Sequence, residues 1–133
     1  MKLITQETLM GCAIACSASL AGLTYKQMRE YFTDGEIKEG YAGFYNRDIV
    51  NALNNKGIIA KAYSIKRWGN RKIKTGTIVF IERSQKYNVG HYLLKTKDGW
   101  MNPWMNCPII KPAKAGFMMN LPSKIRWVIE IVN

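Results

Sequence analysis

Residues 6–20 read QETLMGCAIACSASL, and the second part of this run decides how the chain begins to fold. From Gly11 to Leu20 the small and apolar residues Cys12, Ala13, Ile14, Ala15, Cys16, Ala18 and Leu20 fall on nearly every side of a 3.6-residue turn. A helix that is apolar all round leaves no face for water. The pattern therefore predicts a central helix, buried by other elements of the same domain.

Working outward from it, Thr24 caps a second expected helix over Tyr25–Phe32, with Tyr25, Met28 and Phe32 at helical spacing and Gln27 placed to complete a capping box. Gly40 to Gly43 reads as an open, glycine-flanked loop. Asn46 is the expected cap of a third helix, whose stripe is Ile49, Val50 and Leu53 and whose stop is Gly57. After Gly57 the character changes. Ile58, Ala60, Ala62 and Ser64 alternate loosely with other residues, a basic stretch containing glycine follows, and Thr77–Ile81 reads as a buried strand. Gly90–Lys95 is a further strand, Lys97–Gly99 a hairpin turn, Trp100–Asn102 the returning strand ended by Pro103, and Arg126–Val132 a terminal strand. Helices first and an antiparallel sheet afterwards make an α+β fold, and with no internal repeat the expectation is one domain over residues 1–133.

Composition bounds the function classes. The chain has 133 residues, 47% of them hydrophobic, with four Trp, seven Tyr and four Phe, enough to build a core and to argue against disorder. No run of about 18 apolar residues occurs, so no integral membrane segment is expected. The N-terminal residues lack the ordered charged, apolar and cleavage-site regions of a signal peptide, and three cysteines make a disulfide framework improbable. Both features predict a cytoplasmic location. Structural zinc is the weaker use of these cysteines: Cys12 and Cys16 are separated by three residues, Cys107 has no neighbouring ligand, and His91 is the one histidine.

The formal net charge is +11, and Lys61, Lys66, Arg67, Arg71, Lys72 and Lys74 crowd into 14 positions. Such a surface attracts an anionic partner, whether nucleic acid, an anionic cell wall or membrane, or an acidic protein, although a charge run more commonly only keeps a protein soluble.

The chemistry-bearing residues are few. Cys12 stands where a glycine-containing turn enters the central helix, and the partial positive charge of a helix N-terminus favours a thiolate. Cys16, one turn further on, reads as a small apolar core residue. A thiol is mostly protonated at neutral pH, so a nucleophilic Cys12 needs a base, and His91 is the histidine that can supply it. Asn102, on the strand returning beside His91, is placed to orient the imidazole; Asp98 is the rival, but an Asp in the hairpin turn has a local reason to be there. Gln6 is placed to send its side-chain amide to an oxyanion, with the Cys12 backbone N–H as second donor. Taken singly, a cysteine is usually core, a histidine surface and Asn-Pro a turn.

Gln6 to Ala15 resembles the start of the double-glycine leader peptidases, the papain-like cysteine peptidase domains that process bacteriocin precursors, and of their stand-alone relatives. That start is a Gln, four residues, an acidic residue, the nucleophilic Cys, a small residue and Ala. The likeness continues through Gly57–Ala62, Gly76–Val79 and Gly90–Leu94, so it spans most of the chain. It implies a papain-like fold, Gln6 as oxyanion donor, Cys12 as nucleophile, His91 as general base and Asn102 as orienter, acting on a peptide or protein substrate without metal or organic cofactor. Two positions depart from the family: Gly11 stands where an acidic residue is usual, and Asn102-Pro103 where Asp-Pro is usual, the second a mild change because Cys-His-Asn sets occur in papain-like proteases.

The expected function is therefore a thiol-dependent peptidase, with a groove lined by the Gly40–Gly43 loop and by Tyr92, Trp100 and Trp104. One competing expectation is a basic nucleic-acid-binding module in which Trp68, set among Lys66, Arg67, Arg71 and Lys72, stacks on a base. Another is a papain-like fold without peptidase activity, or one turned to acyl transfer, deamidation or cell-wall cleavage.

Overall fold

The all-round apolar helix α1 spans Cys12–Ala21, and its residues from Ala13 to Ser19 are all buried. A computed structural model describes residues 1–132 and surrounds α1 with α2 (Tyr25–Arg29), α3 (Gly35–Tyr41), α4 (Asn46–Lys56) and a six-stranded antiparallel sheet. The strands are β1 (Ala60–Ser64), β2 (Ile78–Ile81), β3 (His91–Thr96), β4 (Gly99–Asn102), β5 (Gly116–Met118) and β6 (Ile125–Ile131), in spatial order β1-β6-β2-β3-β4-β5; a short α5 (Ile65–Trp68) follows β1. The mixed helix and antiparallel-sheet class is thus the one read from the sequence. No helix among the described residues is long and apolar enough to cross a membrane.

The sheet is covered on both faces, which explains why its central strands read as continuous apolar runs. Ile78, Tyr92, Leu94, Met101 and Ile129 face α1, α2 and α4, with Ile14, Met28, Ile49 and Leu53 among the helix residues packed there. Val79, Ile81, Leu93, Trp100 and Val128 point the other way, under Trp68 and Tyr87. Burying a side chain of this size stabilises the fold by about 1.5–3 kcal/mol.

Local differences from the sequence reading have physical causes. The second helix keeps its capping box, with Gln27 N–H donating to Thr24 Oγ1 at 3.1 Å and Thr24 N–H to Gln27 Oε1 at 3.0 Å, but it ends at Arg29 and not Phe32. Half of the supposed open loop at 40–43, Gly40 and Tyr41, is the end of α3, whose sequence GEIKEGY carries two glycines and no helical apolar stripe. Its stability comes from outside: Glu39 is buried, paired with Arg29 at 3.2 Å, and its carbonyl accepts from Thr8 Oγ1 at 2.6 Å and Met10 N–H at 3.0 Å. The cap of α4 is Tyr45, not Asn46; the Tyr45 N–H donates to Asp48 Oδ2 at 2.7 Å, which frees the Asn46 side chain to accept from Tyr92 Oη at 3.1 Å. The Lys97–Gly99 turn closes β3 on β4 as expected, with Thr96 paired to Gly99.

Candidate active site

The start of β3 lies against the start of α1. This brings Cys12 and His91 to the wall of one cavity of about 760 Å³. The turn leading into Cys12 is held from behind by α3, through the Thr8 and Met10 hydrogen bonds to the Glu39 carbonyl. Tyr25 Oη sits where a Cβ on residue 11 would be, and it donates to the Glu39 carboxylate at 3.4 Å. Any side chain at position 11 would run into that hydroxyl, which accounts for Gly11.

The polarity of the His91 network follows from groups that can only donate or only accept. The Trp104 backbone N–H, a donor only, reaches Asn102 Oδ1 at 2.9 Å, so this atom of the amide is the oxygen. The same oxygen lies 2.7 Å from His91 Nε2, which must then carry the proton. Asn102 Nδ2 donates to Tyr87 Oη at 2.8 Å, and Tyr87 Oη donates in turn to the Trp104 carbonyl at 2.7 Å. Tyr87 also stacks on the imidazole, ring centroids 4.1 Å apart and planes 9° from parallel. With Nε2 protonated, neutral His91 has a bare Nδ1. Its ring is fixed on one edge and one face.

Burial governs the ionisation of both groups. It pushes the Cys12 thiol up to about 11, against the backbone N–H groups of Tyr92, Ala13 and Cys12, which draw it down. The helix N-terminus read from sequence as favouring a thiolate is therefore outweighed by desolvation. Burial likewise brings His91 down to about 4; the Asn102 hydrogen bond opposes this and the Lys86 charge adds to it. At neutral pH the pair rests as thiol and neutral imidazole, and the thiol makes no hydrogen bond to the ring.

Gln6 is buried and joined to the site by its backbone N–H, which donates to the Pro103 carbonyl at 3.2 Å. Its side chain is otherwise engaged. Nε2 donates to the Thr8 carbonyl at 2.8 Å and the Leu9 carbonyl at 3.1 Å, while Oε1 is buried without a partner. Gln6 is not among the cavity-lining residues, and to serve as oxyanion donor it must release one of these carbonyls. Asp98, the rival orienter, lies in the β3–β4 turn, where its N–H donates to Thr96 Oγ1 at 3.1 Å.

Tyr92 and Trp104 line the cavity as the groove reading expected, together with Tyr41 to Asn46. Trp100 does not; it belongs to the core on the opposite sheet face. Leu9, Tyr41, Tyr45, Val89 and Trp127 are exposed apolar residues on its walls. Sequence reasoning missed Tyr87 and Lys86, because an aromatic and a lysine in a polar loop carry no local sign of proximity to His91.

The basic module fares differently. Lys66, Arg67, Arg71 and Lys72 are exposed, but Trp68 is buried beneath Arg71, whose guanidinium carbon lies 3.9 Å from its ring centroid. Trp68 Nε1–H donates to the Arg71 carbonyl and Arg71 Nε–H to the Trp68 carbonyl, so this ring is not a stacking platform for a base. Among the described residues, no group of three His, Cys, Asp or Glu side chains is placed to hold a metal ion. No family model, no curated protein and no solved structure matches the chain.

Proposed function

We propose that the chain is a papain-like cysteine peptidase, similar to the stand-alone relatives of the double-glycine leader peptidases, with Cys12 as nucleophile, His91 as general base and Asn102 as orienter. The observation that carries this reading is the hydrogen-bond chain through Trp104, Asn102 and His91. It leaves an unprotonated Nδ1 on an immobilised ring in the same cavity as the Cys12 thiol at the start of α1. A surface histidine has no need of such a chain.

In the proposed reaction Nδ1 takes the Cys12 Sγ–H proton as sulfur attacks a peptide carbonyl carbon. The tetrahedral oxyanion is met by the Cys12 backbone N–H and by the Gln6 amide once it turns from Thr8 or Leu9. The imidazolium gives its proton to the leaving amine as the C–N bond breaks. Water, deprotonated by His91, then attacks the thioester, releasing the acid and restoring the thiol. In the resting site, transfer from a thiol near 11 to an imidazole near 4 is uphill by about 10 kcal/mol, so the proton must move in concert with carbon–sulfur bond formation.

The test is labelling of Cys12 by a peptidyl vinyl sulfone, followed by peptide mass spectrometry, in the wild type and in His91→Ala. A base in this position contributes about 10²–10⁴-fold, so a loss of that size with an unchanged circular dichroism spectrum is expected. Equal labelling of the two proteins overturns the reading.

A further inference from the structure

The cavity differs in charge composition from the chain around it. None of its lining residues among those described is acidic, and Lys86 is the one lysine or arginine there. Its ammonium is exposed, donates to the Met105 carbonyl at 2.7 Å, and sits 5.8 Å from the Tyr87 ring centroid on a ring that itself lies 4.1 Å from the imidazole. Those two separations put the ammonium within about 10 Å of His91, the reach of about three residues of extended peptide. The remaining walls are apolar or uncharged, and the net charge of +11 gives the whole molecule a field that draws anions.

We infer that Lys86 is a specificity-determining residue, and that the substrate is a peptide with apolar side chains and a carboxylate within about three residues of the scissile bond. The inference rests on the peptidase reading and names its substrate class. A carboxylate seated there pairs with an ammonium that keeps two N–H donors beyond the one given to the Met105 carbonyl. It also cancels a positive charge that faces the imidazolium formed during acylation, so its benefit appears in the transition state as well as in binding. A peptide with Lys or Arg at those positions meets a like charge, and no acidic lining residue offsets it.

Two measurements on the intact chain decide the matter. The first compares alkylation of Cys12 by iodoacetate and by iodoacetamide at one pH. One charge at about 10 Å in a partly solvated cavity changes the ratio of the two rates by about three- to ten-fold. The wild-type ratio is expected to exceed that of Lys86→Met by this factor, and Lys86→Glu to reverse it. The second is a digest of a mixed peptide library read by mass spectrometry, in which cut sites of the wild type are expected to be enriched about three-fold or more in Asp and Glu within three residues, and those of Lys86→Met not at all. Cleavage without acidic enrichment, or an iodoacetate ratio unchanged in Lys86→Met, overturns the role of Lys86 and leaves the peptidase reading standing. If no peptide is cut and His91→Ala labels as well as wild type, the peptidase reading itself falls; the alkylation ratio still reports on Lys86.

Discussion

The two sides of the candidate site are built differently. On the His91 side every polar atom of Asn102 is engaged: Oδ1 accepts from His91 and Trp104, and Nδ2 donates to Tyr87 and approaches Met118 Sδ at 3.5 Å. On the Cys12 side the backbone N–H groups of Tyr92, Ala13 and Cys12 lie at the thiol, and Gln6 keeps an unpartnered, buried Oε1 while its amide protons go to Thr8 and Leu9. On the proposed peptidase reading, the His91 ring is fixed before substrate arrives, whereas Gln6 has a rearrangement still to make. An orphaned buried acceptor costs about 1–3 kcal/mol, which offsets part of what it takes to turn the amide.

The largest effect that would break this comparison belongs to Asn102. Asn102→Ala leaves the His91 Nε2–H and the Trp104 N–H without their acceptor and lets the imidazole choose either tautomer. Labelling of Cys12 by a peptidyl vinyl sulfone is expected to fall about 10³-fold, or about 4 kcal/mol. A fall of less than ten-fold would show that the orientation of His91 does not depend on the network.

Acid provides the next test. His91 in the folded protein lies at about 4, below the 6.5 of an unperturbed histidine, so below pH 6.5 the unfolded chain takes up a proton that the folded one refuses. The contribution is fully present above pH 6.5 and is lost progressively as pH falls to 4, by about 3 kcal/mol at that lower limit. Urea unfolding at pH 7.5 and pH 4 should show this extra loss in wild type and not in His91→Gln; parallel losses in the two proteins would contradict the buried neutral state.

Gln6 gives the smallest of the three effects and separates the two sides most cleanly. In Gln6→Ala, attack on a peptidyl aldehyde, which generates an oxyanion, should slow by about 10²-fold, or about 2.7 kcal/mol, while alkylation by iodoacetamide, which generates none, stays close to wild type. If both reactions slow equally, Gln6 acts only by holding the Thr8–Leu9 turn.

Much of this was legible in the chain, for reasons that differ by element. Helix α1 could be read because its apolar residues occupy every side, β2 because a strand covered on both faces reads as an unbroken apolar run, IVFI, and β3 because Tyr92–Leu94 precedes a hairpin turn. Helix α3 could not, since its support is the Glu39–Arg29 pair and the hydrogen bonds from Thr8 and Met10, all distant in sequence. Trp68 and Trp100 looked available for stacking or for a groove because a sequence shows an aromatic residue without showing what covers it.

For this protein the sequence by itself determined the α+β class and the main helix and strand positions, and it named Cys12, His91, Asn102 and Gln6 as candidates for chemistry. Periodicity and residue type are local properties, and the class and element positions needed nothing more. Only the tertiary structure decided which of those side chains face one cavity, which nitrogen of His91 bears the proton, that Gln6 is turned to the Thr8 and Leu9 carbonyls, and that Lys86 is the one lysine or arginine among the described residues lining that cavity. Tautomers, ionisation and cavity walls depend on contacts between residues far apart in the chain, and folding alone brings them together.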